Sequence, residues 1–314
     1  MLRRMGRSGA QEQETMAQEL ARLAQEVTDL RAERARWQIG WPPGHFYSPI
    51  PDREAIRAQE ERIFTWPDTL QGIELNAAGQ SELLARLQPY YAQLPFTDGK
   101  QANLRFSYDN PNYSYGDAIF LFCMLCHLRP QRIIEIGSGY SSCVTLDTNE
   151  RMLNNELRCT FIEPYPALLH SLLRPGDRER ITIINSGIQD VDLEVFAQLE
   201  AGDILFVDST HVSKVASDVN SIFFEILPVL QKGVYVHIHD IYFPFEYPKS
   251  WIYEGRAWNE AYLLRAFLQY NDVFSIELFN HWAQGMYRDY LAEYMPNVLQ
   301  GDGSGIWLKK QFAN

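Results

Sequence analysis

The sequence predicts an α/β fold: a doubly wound, mainly parallel sheet of seven strands, preceded by a helical extension. Three observations predict it. From Arg132 onward, short β-branched runs (RIIEIG, RCTFIEP, ITIINSG, DILFVDS, GVYVHIHD) alternate with helical stretches (SSCVTLDTNERML, PALLHSLL, LEVFAQL, KVASDVNSIFFEILPVL). That alternation is the mark of right-handed βαβ units covered on both faces. The first run leads into Gly137 and Gly139 and then directly into a helix, a turn at which backbone can approach a ligand closely. After the fifth run come a helix (NEAYLLRAFLQY), a strand (FSIELFN), an insertion and a last strand (GSGIWLKKQF). Two closing strands joined without a full crossover helix predict antiparallel pairing at one edge.

Ahead of the sheet, TMAQELARLAQEVTDLRAERARW carries Met16, Leu20, Leu23, Val27 and Leu30 at alternating steps of four and three, the seam of a coiled coil. Arg34 interrupts the seam before Trp37 resumes it. About three heptads is marginal for an isolated coil. The segment therefore reads either as an oligomerisation helix, making the protein a homo-oligomer, or as a helix lying on its own domain. IGWPPGHFYSPIPD reads as an irregular linker that docks through its rings. Helical patterns around REAIRAQEERIF and SELLARLQPYYAQL follow, and FSYDNPNYSYGDA leads into the apolar helix AIFLFCMLCHL. The expected division is 1–37 as a coiled-coil-like helix, 38–102 as linker and helical cap, and 103–314 as the main domain.

At 314 residues the chain accommodates one large α/β domain plus an appendage. Acidic residues outnumber basic ones by 40 to 28, and the net charge of −12 argues against a nucleic-acid partner. No apolar run reaches the roughly 20 residues needed to span a bilayer, so no membrane partner is expected. The opening MLRRMGRSGAQEQE lacks the apolar core of a secretory signal. Cys123 and Cys126 form a C-x-x-C inside an apolar run, where buried free thiols are expected rather than a zinc or redox pair. A reducing cytoplasm follows.

Ser142 stands where a dinucleotide fingerprint would place its third glycine, which favours an adenosine with an amino-acid tail over a pyrophosphate. Glu163, in FIEPYP, lies where an acidic residue accepts ribose hydroxyls. Gln189 or Asp190, in NSGIQD, is placed to reach an exocyclic amine. Together EIGSGYSS, IEPYP, VDSTH and the histidine–aspartate pair after the fifth strand resemble class I S-adenosylmethionine-dependent methyltransferases, and most of all a branch of small-molecule and sugar O-methyltransferases. The resemblance covers about Asn103 to the carboxyl end; the HWAQGMYRDYLAEYMPNVLQ insertion departs from it. It implies S-adenosylmethionine as cofactor. Glu135, Gly137 and Gly139, with Tyr140 and Ser141 following, would shape the methionine end. Glu163 would hold the ribose, Gln189 and Asp190 would lie near adenine, and Asp208 would border the cofactor.

Open parallel sheets bind ligands beyond the carboxyl ends of their strands. Strand four ends at Asp208 with His211 three residues on, and strand five ends at His239 and Asp240, so these groups are expected side by side. Three readings stay open. Asp208 and Asp240 hold a divalent ion with His211 or His239 assisting, as the resemblance also implies; or His239 or His211 is a general base without metal; or the histidines are structural. The resemblance points to magnesium, but histidines soften the all-oxygen set it prefers, which leaves manganese, iron or no metal open, and His237 reads as core. The aromatic loop IYFPFEYPKSWIYEGRAWNEAY, with Glu254, Arg256 and Trp258, is a candidate wall for a small-molecule acceptor; Tyr108, Asn110 and Tyr115 are a second. The rival functions are a metal-dependent oxygenase on the same fold and a non-catalytic coiled-coil interaction protein.

Overall fold

The computed structural model describes residues 5–37 and 40–312, with side chains for 13–33 and 40–312. The chain forms two compact units, one ending at Glu60 and one beginning at Glu61. In the first, a single helix runs Met5–Trp37. Its stripe of Met16, Leu20, Leu23, Val27 and Leu30 is 43–68% exposed. The side chains of Arg34 and Trp37, where the seam breaks and resumes, lie outside the described residues. In the linker, Trp41 stacks on His45 at 4.2 Å and His45 on Phe46 at 4.3 Å. The rings expected to dock this segment thus pack on one another, and Trp41, Phe46 and Tyr47 are exposed.

The second unit holds a seven-stranded sheet of order β3-β2-β1-β4-β5-β7-β6. The strands are β1 (Arg132–Ile136), β2 (Arg158–Ile162), β3 (Ile181–Ile184), β4 (Ile204–Val207), β5 (Tyr235–His239), β6 (Phe274–Phe279) and β7 (Gly305–Lys310). β1 to β5 are parallel, and β7 runs antiparallel to both β5 and β6. The closing pair is antiparallel at one edge as expected, but β7 lies inside the sheet and β6 forms the edge. The connection is no hairpin: the insertion folds into helices Asn280–Met286 and Arg288–Tyr294 and the turn Pro296–Gln300. The order reverses direction at β1 and β4, which opens a crevice above their carboxyl ends.

Every residue of β4 is buried, which is why ILFV is apolar on both faces. The helix Tyr115–Leu128 is buried from Gly116 through Cys126, so its sequence is apolar all round rather than striped. Helix Ala77–Tyr91 packs against it. Residues 61–102 thus fall in the same compact unit as the sheet. All four cysteines are free and buried, and burial pushes the Cys126 thiol up to about 12.

A buried cation ties the chain ahead of this helix to the helix Tyr140–Met152. The Arg105 guanidinium bonds Asp147 at 2.7 Å, Glu150 at 3.0 Å and Asp177. Asp147 also accepts the backbone N–H groups of Arg105 and Phe106. The bond from Arg174, with help from Arg105, holds the Glu150 carboxyl down to about 2. A depressed carboxyl contributes stability that is complete above its unfolded pKa of 4.5 and fades as pH falls through about 2. Because the side chain is 34% exposed, solvent screening reduces the contribution to about 1 kcal/mol. Glu150→Gln should therefore lower the urea midpoint at neutral pH, with the gap narrowing between about pH 5 and pH 2. A gap that stays constant with pH would assign the effect to packing instead.

Candidate active site

The turn after β1 is knitted to its neighbours. Gly137 N–H donates to Ile162 O at 3.0 Å, and Asp208 N–H donates to Ile136 O at 2.8 Å. Gly137 has φ +80, and a Cβ there would stand 1.9 Å from the Asp208 carbonyl oxygen. Gly139 differs: its backbone is extended at φ −170, and a Cβ would make ordinary contact with Leu168 at 3.5 Å. Ser142 acts as a cap in place of a third glycine, accepting the Gly139 N–H at 3.1 Å. Ser141 and Ser142 both donate to Glu135 Oε1, at 2.6 and 2.8 Å. Burial pushes the Glu135 carboxyl up to about 8, so it holds a proton near neutrality. Glu135 Oε2 and Ser138 Oγ are buried without a hydrogen-bond partner.

Two hollows meet at this turn. One, of about 390 Å³, is lined by residues including Ile162, Glu163, Ile188, Gln189 and Ala216. The other, of about 250 Å³, is lined by Asn112, Tyr113, Ser138, Gly139, Tyr140 and Ser141 among others. Gly137, Glu163, Asp208 and Ser209 border both. Glu163 accepts from Ser138 N–H at 3.2 Å and Tyr165 N–H at 2.8 Å, fixing its carboxylate across the junction. Gln189 lines the larger hollow, with its amide donating to Ala216 O at 2.9 Å, whereas Asp190 is not among the lining residues. Glu135 stands behind the smaller hollow, reached through Ser141. The orphaned Glu135 and Ser138 atoms and the paired hollows fit an adenosine with an amino-acid tail.

Beside Asp208 lies the polar rim. His211 Nε2 is 3.4 Å from Asp208 Oδ1 and 3.6 Å from Asp240 Oδ2. Among the described residues, Asp208, His211 and Asp240 bring one ligand atom each within 4.8 Å of the others, a donor set that suits a divalent cation. His211 and Asp240 have φ +60 and +55, left-handed backbone that aims both side chains at the rim. His239 lies outside that group, its Nε2 3.6 Å from Asp240 Oδ1. His237 is sandwiched between Phe206 and Trp307, both ring nitrogens unpartnered, and burial lowers its pKa; it is a neutral core residue.

Two partners of the rim come from distant sequence. Glu260 is fully buried and bonds His211 Nδ1 at 2.8 Å, and the Ser209 hydroxyl donates to it at 3.0 Å. Burial opposes charge on His211, but its bonds to Asp208 and Glu260 outweigh this and lift it to about 10. Burial likewise works to raise Asp208, but the nearby His239 and the bond from His211 hold it below the usual carboxylate value. The imidazolium thus neutralises the carboxylates and is no base in this state. The Ser304 hydroxyl lies between Asp240 Oδ1 at 3.0 Å and Asp117 Oδ2 at 3.1 Å. Asp117 also accepts Ser304 N–H at 2.6 Å, and burial pushes its carboxyl up to about 6. Gln284, from the insertion, accepts Gly303 N–H at 2.7 Å and donates to Val298 and Gly301 carbonyls, so the insertion fixes Ser304.

Trp258 covers His211 with ring centroids 4.3 Å apart. The Arg256 guanidinium lies 4.3 Å over Trp251 and 3.2 Å from Glu254. Of the segment before the helix Tyr115–Leu128, Asn112 and Tyr113 line the smaller hollow, while Tyr108, Asn110 and Tyr115 do not. Asn110 Oδ1 instead accepts the N–H groups of Asn112 and Tyr113, and Tyr115 donates to Asp98. An asparagine beside a proline was the signal for such a bracing turn.

Fold and site define a nucleoside-binding α/β enzyme with an acidic strand-tip rim. Residues 134–241 match the model of a family described as a methyltransferase domain. A protein of Archaeoglobus fulgidus, described only as uncharacterized, is 36% identical over 178 residues, which is 54% of this chain and 79% of that protein. The chain belongs to the class I S-adenosylmethionine-dependent methyltransferases. Among solved structures, a methyltransferase of Podospora anserina bound to S-adenosylhomocysteine superposes with a TM-score of 0.42 and 13% identity, covering 84% of this chain and 99% of that one. An O-methyltransferase of Streptomyces achromogenes involved in tomaymycin synthesis, in complex with S-adenosylmethionine, gives 0.42 and 13%, covering 82% and 96%. Likeness at this level adds nothing to the family match.

Proposed function

We propose that this enzyme methylates a hydroxyl oxygen of a small molecule seated over Asp208, His211 and Asp240. One observation carries the reading: Asp208 borders both nucleoside hollows and is also a member of the rim. The cofactor's sulfonium end would thereby face the rim. Glu163 would take the ribose hydroxyls, the larger hollow the adenine, and Ser138 with Glu135 the amino-acid tail.

Methyl transfer is an in-line displacement in which the acceptor oxygen bonds the methyl carbon as the carbon–sulfur bond breaks. The hydroxyl proton must leave as this happens. Protonated His211 offers no lone pair to receive it, so the carboxylates do so, with Asp240 as first receiver. Trp258 and the loop around it exclude water from the exchange of charge between oxygen and sulfur. In the alternative state in which His211 gives up its Nε2 proton, Asp208, His211 and Asp240 would hold a divalent ion, which would lower the acceptor's pKa and orient it.

S-adenosylmethionine and S-adenosylhomocysteine should each raise the thermal midpoint by several degrees, since a ligand at about a hundred times its Kd contributes about 2.7 kcal/mol. NAD should leave it unchanged, and repeating the melts with a chelator reads the cation's share. Stabilisation by NAD alone would end this reading.

A further inference from the structure

We infer that the helix Met5–Trp37 pairs with the same helix of a second chain as a parallel, in-register, two-stranded coiled coil. The helix is 33 residues long, about 50 Å, and opens the chain as part of a separate compact unit. Written in heptads, Leu20 and Val27 occupy position a, and Met16, Leu23 and Leu30 occupy position d. These five residues form one continuous apolar stripe, each 43–68% exposed, on a helix that is otherwise mostly polar. Such a stripe is stable in water only when another apolar stripe covers it.

The flanking positions say which partner. Position g carries Glu19, Glu26 and Glu33, and position e carries Ala17, Ala24 and Arg31. An antiparallel pair would set g against g, glutamate facing glutamate along the seam. A parallel pair sets each g against the e of the next heptad on the other chain. That places Glu26 opposite Arg31 and Glu19 opposite Ala24, so no g–e pair brings like charges together; Arg34, at the next a position, meets its own copy and marks where the seam ends. Arg31 makes no ion pair among the described residues, whereas Glu19 and Glu26 share Arg22 on the outer face. Val27 at a, between Leu23 and Leu30 at d, is the arrangement that favours two strands over three or four. A second copy of this chain therefore satisfies the stripe and its charges, and the resulting pair is closed by a two-fold axis.

Sedimentation equilibrium of the full chain at about 20 µM tests this, with twice the mass of one chain expected. The double variant Leu23→Asp/Val27→Asp should sediment as a single chain while its S-adenosylmethionine affinity stays within about twofold. Leu30→Cys should form a disulfide-linked dimer under mild oxidation, because a parallel d layer sets identical residues face to face; the native cysteines are all buried and give no such background. Glu26→Lys and Arg31→Glu should each weaken the dimer about fivefold, and the two together should restore it. A single-chain mass for the natural sequence, three or more chains, a dimer indifferent to Leu23→Asp/Val27→Asp, or failure of Leu30→Cys to cross-link would each overturn it. The first of those results would place the stripe on its own chain or on a different protein.

Discussion

Asp240→Ala should lower the rate of S-adenosylhomocysteine release, measured with a panel of phenolic and sugar acceptors, by about 10²–10⁴-fold. S-adenosylmethionine affinity should change less than about threefold, because the hollows proposed for the cofactor are lined by Asp208 and not by Asp240. The substitution removes the carboxylate that faces His211 at 3.6 Å and the Ser304 hydroxyl at 3.0 Å, leaving Asp208 and Glu260 to balance the imidazolium. Its effect on folding is modest. The backbone at Asp240 is left-handed, which costs alanine about 1–2 kcal/mol. Asp240→Asn supplies the control: asparagine tolerates that backbone, so the fold is spared while the proton acceptor is lost. Near-natural turnover in Asp240→Ala would remove this residue from the mechanism.

Gly137→Ala should be the most damaging single change to cofactor binding, raising the Kd for S-adenosylmethionine by at least about tenfold and lowering stability by about 3 kcal/mol. Two independent causes add. The φ of +80 is unfavourable for any Cβ, and this Cβ would lie 1.9 Å from the Asp208 carbonyl oxygen. Relief requires moving the backbone at Asp208, which also borders both hollows and the rim. Gly139→Ala should be mild, within about 1 kcal/mol, since its backbone is extended and its Cβ meets only Leu168 at 3.5 Å. Calorimetric titration and thermal melts on the two variants make the comparison. Equal effects would mean that the turn, rather than the Gly137–Asp208 contact, shapes the pocket.

The contrast between these glycines shows where sequence reading reaches its limit. Strand-by-strand alternation and the glycine turn follow from local pattern, so β1 to β5 and the placing of Asp208, His211, His239 and Asp240 at strand tips could be read directly. Which glycine is irreplaceable depends on a carbonyl 71 positions away, and no local pattern carries that. The same holds for Glu260, 49 positions from His211, and for Ser304, 187 positions from Asp117. A buried glutamate at the start of a helix reads as an ordinary first-turn acid until its histidine is seen. The insertion looked like a departure from the family pattern, yet Gln284 within it holds the loop that brings Ser304 to Asp240. His237 and His239 share one strand face and differ only in depth: one is wedged between rings, the other stands next to Asp240.

The position of β7 bears on how the molecule is made. β6 has β7 as its sole neighbour in the sheet, and β7 is the last of the seven strands in chain order. Until β7 is made, a nascent chain carries β5 with one open flank and β6 with none of its ladder bonds, both liable to pair with other chains. The acidic rim is completed only at that moment, because Ser304 immediately precedes β7. A chain cut short before Ser304 would therefore keep most of the body yet expose both of these edges and lose the Ser304 link to Asp240.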